Sequence, residues 1–418
     1  MIGKKIMSNM KKNFAWNMIG SLVNSVTSLF FMIIVTRING VDEAGIFTFA
    51  FSLACLFQVI SNYSGRTFQV TNTDDCITDS DFIYHRYLTS IMMILCLLVY
   101  LLFKDYSKMK VLAIFLLVIF RLVESIGECF YGIIQKNGEL YKVGISLFLK
   151  GIIGILIFSI IDVITKSFLF SIIGLILVNL FILIIYDDKN YHNFYKRQKV
   201  NKENVKIIFK SGFSVFGFTF LNQYLLNAPK YAIDDFLNSS SQTIYGIISM
   251  PAMVLILCSQ FIVQPLLPKV TDIVVKNKYA ALKKLTFNII FGVVLVGILG
   301  EIFCYLVGIS FLQLIYGISL KKYLLHLMII ILGATIYGII FVISSVLIAL
   351  RKNSSQLLFY GISSMFVTII SKILVRRFAV MGACLSYFIT MTFLCLMYII
   401  YFLYVIHVLE KNKKGKDL

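Results

Sequence analysis

Roughly a dozen times, the sequence repeats one unit: about twenty nearly uninterrupted apolar residues followed by a short polar loop. A helix crosses the ~30 Å hydrocarbon core of a bilayer in ~20 residues. A chain built almost wholly of such runs has no room for a water-soluble domain. The reading is an all-α polytopic membrane protein of about twelve transmembrane helices. The expected spans are 14–36, 44–64, 87–103, 111–135, 143–161, 167–186, 210–227, 242–267, 286–308, 324–350, 356–375 and 380–408. The seventh, SGFSVFGFTFLNQYLLNAP, is polar for a span.

Composition agrees. The 418 residues are 59% hydrophobic and 14% charged, against about 25% charged in soluble domains. The apolar run after Lys4, Lys5, Lys11 and Lys12 is too long for a signal peptide, so 14–36 reads as an uncleaved first span. An even number of spans puts both termini on one side. Far more of the 39 Lys and Arg fall in loops and tails on that side than on the other, and such asymmetry marks the cytoplasm. The net charge of +19 is therefore read as orientation and attraction to membrane lipids or an anionic substrate, not as nucleic-acid binding.

The longest polar connector, 187–209, is basic and divides the chain into an N-terminal six-helix lobe (1–186) and a C-terminal six-helix lobe with a basic tail (210–418). KNFAWNMIGSLV…AGIFTFAFSL and FKSGFSVFGFTFL…YGIISMPAMVL form a faint echo between the halves, with Gly45 matching Gly246. Two-fold repeats are common in transporters; chance likeness between apolar segments is common too.

Ionisable residues at bilayer depth cost roughly 2.5–3.5 kcal/mol each on insertion scales and mark a pathway by default. In the fourth span, Arg121, Glu124, Glu128 and Gln135 are spaced by 3, 4 and 7 and fall on one helical stripe. That face belongs in a wet cavity or a helix seam, and Arg121 and Glu124 are close enough to pair. Lys150 in the fifth span either snorkels or sits beside an acidic or cationic cavity. Lys372, with Arg376 and Arg377, ends the eleventh span and reads first as snorkelling; Glu301 in the ninth has no obvious partner. Asn24, Asn222, Gln223 and Asn227 serve either as glue between helices or as contacts to sugar hydroxyls. Arg37 and Arg66 flank the second span at opposite ends. Lys230 follows Pro229, which either breaks the helix or makes an interfacial turn. The pairs Asp74–Asp75, Asp187–Asp188 and Asp234–Asp235 lie in or beside loops and read as solvated. No Walker loop, no CxxC and no Cys/His cluster occurs, so neither ATP hydrolysis, a disulfide framework nor a metal site is supported.

TRINGVDEAGIFTFAFSL (36–53) is similar to the R-x-x-G-x-x-x-x-G-x-[FY] stretch joining the first two spans of polysaccharide repeat-unit (O-antigen and capsule) flippases. GRTFQVTNTDDCITDSDFIYHR (65–86) resembles their next cytoplasmic loop, and FYGIIQKNGELYKVGISLFLK (130–150) the link between their fourth and fifth spans. Val41 stands where some members have Pro. These flippases belong to the multidrug/oligosaccharidyl-lipid/polysaccharide exporter superfamily. The resemblance implies two six-helix lobes around a central cavity, in the bacterial cytoplasmic membrane. It implies an undecaprenyl-pyrophosphate-linked oligosaccharide as substrate, moved by alternating access without a cofactor. A polysaccharide polymerase and assembly proteins would be partners. By position, Arg37, Arg66, Arg121 and Lys150 are the substrate-binding cations. Glu124 and Glu128 are candidates for coupling to H+ or Na+. Asn24, Gln135, Asn222, Gln223, Lys230 and Lys372 are secondary. The competing readings are a cation-coupled multidrug efflux transporter of the same fold, and a membrane glycan polymerase or transferase, which the short loops disfavour.

Overall fold

Within a bilayer, each backbone N–H and C=O must find its partner inside the protein, which leaves runs like these to fold as helices. The computed structural model describes residues 2–63, 65–72 and 76–414, and every regular element among them is helical. Nine helical stretches there are long and apolar enough to cross a membrane. The twelve expected spans exceed these for identifiable reasons. The stretch 355–411 holds two of them, and the fourth and seventh spans are helical but carry too many polar and charged residues to qualify by composition.

The chain divides into two compact units, Met1–Gln223 and Tyr224–Leu418. The first contains α1 (Ile2–Ile38), α2 (Val41–Asn62), the short α3 (Gly65–Thr71), α4 (Asp79–Leu102), α5 (Lys108–Lys136), α6 (Leu140–Thr165), α7 (Phe168–Ile182) and α8 (Lys189–His192). A π-helical turn, Leu183–Asp188, joins α7 to α8. The long α9 (Lys202–Phe236) holds the boundary between the units. It runs helically through Pro229, so the break or turn expected there is absent.

Lipid tails are as apolar as Leu, so helices in a membrane associate through close packing and polar contacts. Both occur in the first unit. A Cβ on Gly20 would lie 2.1 Å from the Gly144 carbonyl oxygen, and one on Gly144 would lie 2.2 Å from that of Trp16. Only glycine lets α1 and α6 touch backbone to backbone there. At the other end of that seam, Phe31 and Phe158 (ring centroids 4.7 Å apart) join Phe47 and Phe168 in one buried aromatic cluster. The most enclosed helix of the first unit is α2, most of whose residues from Ala44 to Ser61 are buried, and α5 packs a broad buried face from Ala113 to Ile134.

Connections on the Asp81 side are tied down rather than loose. Thr78 and Asp81 form a reciprocal cap at the start of α4. The buried Asp81 carboxylate also accepts from Asn201 N at 2.8 Å and Asn204 Nδ2 at 2.9 Å. Gln198 N donates to Ser80 Oγ at 3.0 Å. The basic connector thereby lies against α4.

The second unit comprises α10 (Ser239–Ile248), α11 (Met250–Val263), α12 (Leu267–Val275), α13 (Tyr279–Phe303), α14 (Ile309–Tyr316), α15 (Leu324–Ala349) and α16 (Asn353–Lys414). Ala379 interrupts α16 with φ 49° and ψ −129°. The chain doubles back there. A Cβ on Gly382 would meet the Leu374 carbonyl at 2.0 Å, and Phe366 stacks on Phe393 with ring centroids 4.7 Å apart. Ser355 Oγ donates to Tyr401 at 2.7 Å. The expected spans 356–375 and 380–408 are the two arms of this antiparallel hairpin.

Candidate functional site

The polar stripe read along α5 exists, and it is built from three helices. Arg121 Nη1 donates to Glu124 Oε2 at 2.5 Å, and its Nη2 reaches Cys55 Sγ of α2 at 3.2 Å. The guanidinium lies 4.5 Å from the Phe51 ring centroid, a cation–π contact. Gln58 Nε2 approaches the same Glu124 oxygen at 3.4 Å. Further along, Arg66 of α3 pairs with Glu128 at 3.6 Å. Gly132 makes room for α3, since a Cβ there would fall 2.1 Å from Gln69 Oε1. Side-chain exposures of 15% and 16% for Arg121 and Glu124, and 25% and 31% for Arg66 and Glu128, show the stripe opening progressively toward α3. Two cations and two carboxylates thus line one half-open strip.

At the edge of the stripe lies a closed ionic pocket. Lys150 Nζ of α6 donates to Asp187 Oδ2 at 2.6 Å and to Tyr131 Oη at 2.8 Å. Tyr131 in turn shares a 2.8 Å hydrogen bond with Ser146. Lys150 and Asp187 side chains are 5% and 1% exposed, so Lys150 does not snorkel. This corrects the solvated reading of Asp187: it lies on the buried face of its helix with Ile176 and Leu183, while Asp188 turns outward beside His192. The far wall of α6 and α7 is an apolar recess of about 470 Å³ lined by Leu149, Ile153, Leu177, Phe181, Ile185 and Tyr186 among others.

A third group sits where α2 ends. Arg86, counted from sequence as a cytoplasmic-loop cation, is buried in α4 and donates to the Ser61 carbonyl. It also reaches Asn62 Oδ1 at 3.2 Å and Ser125 Oγ at 3.3 Å. Thr89 Oγ1 donates to the same carbonyl at 2.7 Å. A cation at a helix C-terminus satisfies orphan carbonyls and opposes the negative end of the dipole. Ser61, Ser90 and Ser125 complete the network through bonds of 2.9 and 2.6 Å.

The other sequence candidates lie elsewhere. Arg37 is exposed in the last turn of α1, at the opposite end of α2 from Arg66. Asn24 is half-buried in α1. Gln135 continues the stripe near the end of α5, its Oε1 buried without a hydrogen-bond partner among the described residues. Asn222 and Gln223 fall in the α9 portion of the first unit and Lys230 in that of the second. Lys230 Nζ donates to Asn227 Oδ1 at 3.1 Å. Lys372 is exposed on α16; Arg376 covers Phe236 at 4.4 Å. Asp74 and Asp75 lie outside the described residues, Asp234 is half-buried and Asp235 exposed. Sequence reading passed over Asp162, fully buried near the end of α6, where Ser171 donates to one of its oxygens at 3.0 Å. Its position nine residues before a serine across a tight αα turn was the available signal.

A bundle of apolar helices that buries ionic side chains between them has the architecture of a polytopic membrane protein. Known proteins place it further. The structure superimposes on an inward-facing multidrug resistance MATE family transporter of the MOP superfamily with a TM-score of 0.73, at 11% identity over 96% of this chain and 99% of that one. It matches the lipid II flippase MurJ in an inward closed conformation with a TM-score of 0.70, at 16% identity over 92% and 86% of the two chains. In sequence it is 22% identical over 388 residues to the capsular polysaccharide biosynthesis protein CapF of Staphylococcus aureus, covering 90% of this chain and 95% of that one. No protein-family model matches the sequence. The chain is a multi-pass membrane protein with the fold seen in MOP superfamily transporters, and its likeness to a capsule-synthesis protein and to a lipid II flippase agrees with the resemblance read from its sequence.

Proposed function

We propose that this transporter moves undecaprenyl-pyrophosphate-linked oligosaccharide repeat units across the cytoplasmic membrane for surface polysaccharide synthesis, by alternating access. The carrying observation is the half-open strip of Arg66, Arg121, Glu124 and Glu128. A sugar–pyrophosphate in hydrocarbon leaves its charges and hydroxyls unpaired at prohibitive cost. A cation ~4 Å from a phosphate offsets about 4 kcal/mol at an effective dielectric of 20. The similarity to a capsule-synthesis protein and to a lipid II flippase supports this class of substrate over a cationic drug.

The carboxylates give the strip a way to release what it binds. With no anion present, Glu124 and Glu128 neutralise the two arginines. Protonation of Glu128 frees Arg66 for the pyrophosphate, and deprotonation restores the internal pair and expels the anion. Because the anion is carried outward, that proton leaves with it, so the membrane potential acting on the anionic head is the proposed drive and the proton the coupled ion, with Na+ as the competing coupling ion; a polymerase and assembly proteins receive the product.

Arg66→Gln and Arg121→Gln should each abolish surface polysaccharide while the protein remains inserted. Normal polysaccharide in both variants removes the strip as the binding site. Glu128→Gln should bind the lipid-linked oligosaccharide but lose the dependence of transport on the proton gradient. Drug hypersensitivity on deletion, with polysaccharide intact, would instead establish the multidrug reading.

A further inference from the structure

Lys150 is the least exposed of the four cations that the family resemblance nominates for substrate binding. Its ammonium group has two partners, Asp187 and Tyr131, both almost fully buried. It also lies against the α5 backbone: a Cβ on Gly127 would be 3.3 Å from Lys150 Nζ and 3.8 Å from Asp187 Oδ2. Gly127 is the residue before Glu128, and Tyr131 is three residues beyond it. The pair thus grips α5 beside the open strip.

We propose that Lys150 and Asp187 are a positioning pair that fixes the rotation of α5, and with it the direction of Arg121, Glu124 and Glu128, and that Lys150 never touches the substrate. Asp187 lies on the same face as the buried Ile176 and Leu183, eleven and four residues earlier, which carries its carboxylate to Lys150, while Asp188 follows the exposed Leu177, Phe181 and Ile184. Burying an ion pair is poor evidence for stability alone, since replacing both members with apolar residues is often neutral while removing one is strongly destabilising. The pair therefore reports through geometry, and the same asymmetry supplies its test.

Lys150→Met, Asp187→Leu and the double variant are compared in purified protein and in cells. The direct reporter is Cys55, whose sulfur lies 3.2 Å from Arg121 Nη2, a contact that a turn of α5 about its axis would break. Its maleimide labelling, read by peptide mass spectrometry well below the melting temperature, should rise about tenfold in each single variant, equivalent to ~1.4 kcal/mol of opening. In the double variant it should return to the parent rate. Surface polysaccharide should be lost in the singles and regained in the double. Parent-like Cys55 labelling in the singles overturns the positioning role. A double variant with parent-like labelling and no polysaccharide makes Lys150 a substrate contact instead. If the singles fail to insert, the double variant decides between these outcomes alone. The polysaccharide arm rests on the transport reading above; the labelling arm does not, so failure of one is distinguishable from failure of the other.

Discussion

The two units of this protein bury polarity in different ways. In the first, charges are inside: Arg86, Lys150, Asp81, Asp162 and Asp187 are all buried, and Arg121 and Glu124 nearly so. In the second, the interior is held by hydroxyls and amides. Ser344 Oγ donates to Gln356 Oε1 at 2.5 Å and Tyr398 Oη donates to the same oxygen at 3.0 Å, with Tyr337, Tyr360 and Tyr387 buried around them. Its cations Lys372, Arg376 and Arg377 are exposed. Hydroxyl networks rigidify a membrane bundle without presenting net charge. Ionic groups are costlier to bury and respond to protons and anions. The proposed function draws on the charges of the first unit and leaves the second as a quieter scaffold.

Removing Arg86 tests that contrast most severely. Arg86→Met leaves the Ser61 carbonyl with Thr89 alone among its side-chain donors and removes one donor each from Asn62 Oδ1 and Ser125 Oγ, which keep the 2.9 Å bond between them. Charged hydrogen bonds contribute ~1.5–3 kcal/mol each, and unsatisfied buried groups cost a similar amount. The variant should lose about 3 kcal/mol or more of stability, seen as a large fall in melting temperature in detergent. A fall no larger than that of Arg376→Met would erase the contrast.

Gln356→Leu is the counterpart in the second unit. It removes the acceptor shared by Ser344 and Tyr398, and two buried hydroxyls then lack their partner. A loss of about 1–3 kcal/mol is expected, measurable by the same melt, with transport per folded molecule unchanged. A transport defect in fully folded protein would give the hydroxyl network a working part rather than a scaffolding one.

How much of this was written legibly in the chain differs between the same two units. The α5 stripe was readable because charge at helical spacing in an apolar run has few explanations, and Arg121–Glu124 pairing followed from the i, i+3 separation. Asp187 was not readable: a carboxylate next to another, beside a basic loop, looks solvated, and the two separate only once the helix is seen to continue past the apolar run and carry Asp187 onto its buried face. Arg86 was misplaced because HRYLTS resembles the edge of a span, and its acceptor is a backbone carbonyl, which leaves no trace in composition. The reversal at Ala379 has neither Gly nor Pro at the bend itself; the hairpin was legible through Lys372, Arg376 and Arg377, which end one apolar span just before the next begins. Conversely Pro229, a strong breaker on paper, sits inside a continuous helix.

Glu301 is the one buried-facing carboxylate of the second unit's α13, with Oε2 buried and no hydrogen-bond partner among the described residues. Were coupling shared between the units, Glu301→Gln would weaken the gradient dependence of transport as Glu128→Gln does. The contrast drawn above expects Glu301→Gln to keep that dependence while Glu128→Gln loses it. Transport measured in vesicles with an imposed pH gradient separates the two, and equal losses would spread the responsive chemistry over both halves.

Lys372→Gln should have the smallest effect. The side chain is exposed on α16, and substitutions at such positions usually change stability within ~0.5 kcal/mol. Its bearing is on the substrate. Lys372 and Arg376 lie one helical turn apart, so they present two positive charges along one face, enough to meet a phosphate without any buried partner. If the arginines of α3 and α5 alone hold the pyrophosphate, Lys372→Gln makes normal amounts of surface polysaccharide with an unchanged dependence on ionic strength in vesicles. A raised KM for the lipid-linked oligosaccharide, with the maximal rate preserved, would bring the second unit into contact with the anion and turn the contrast between the two halves into a division of labour.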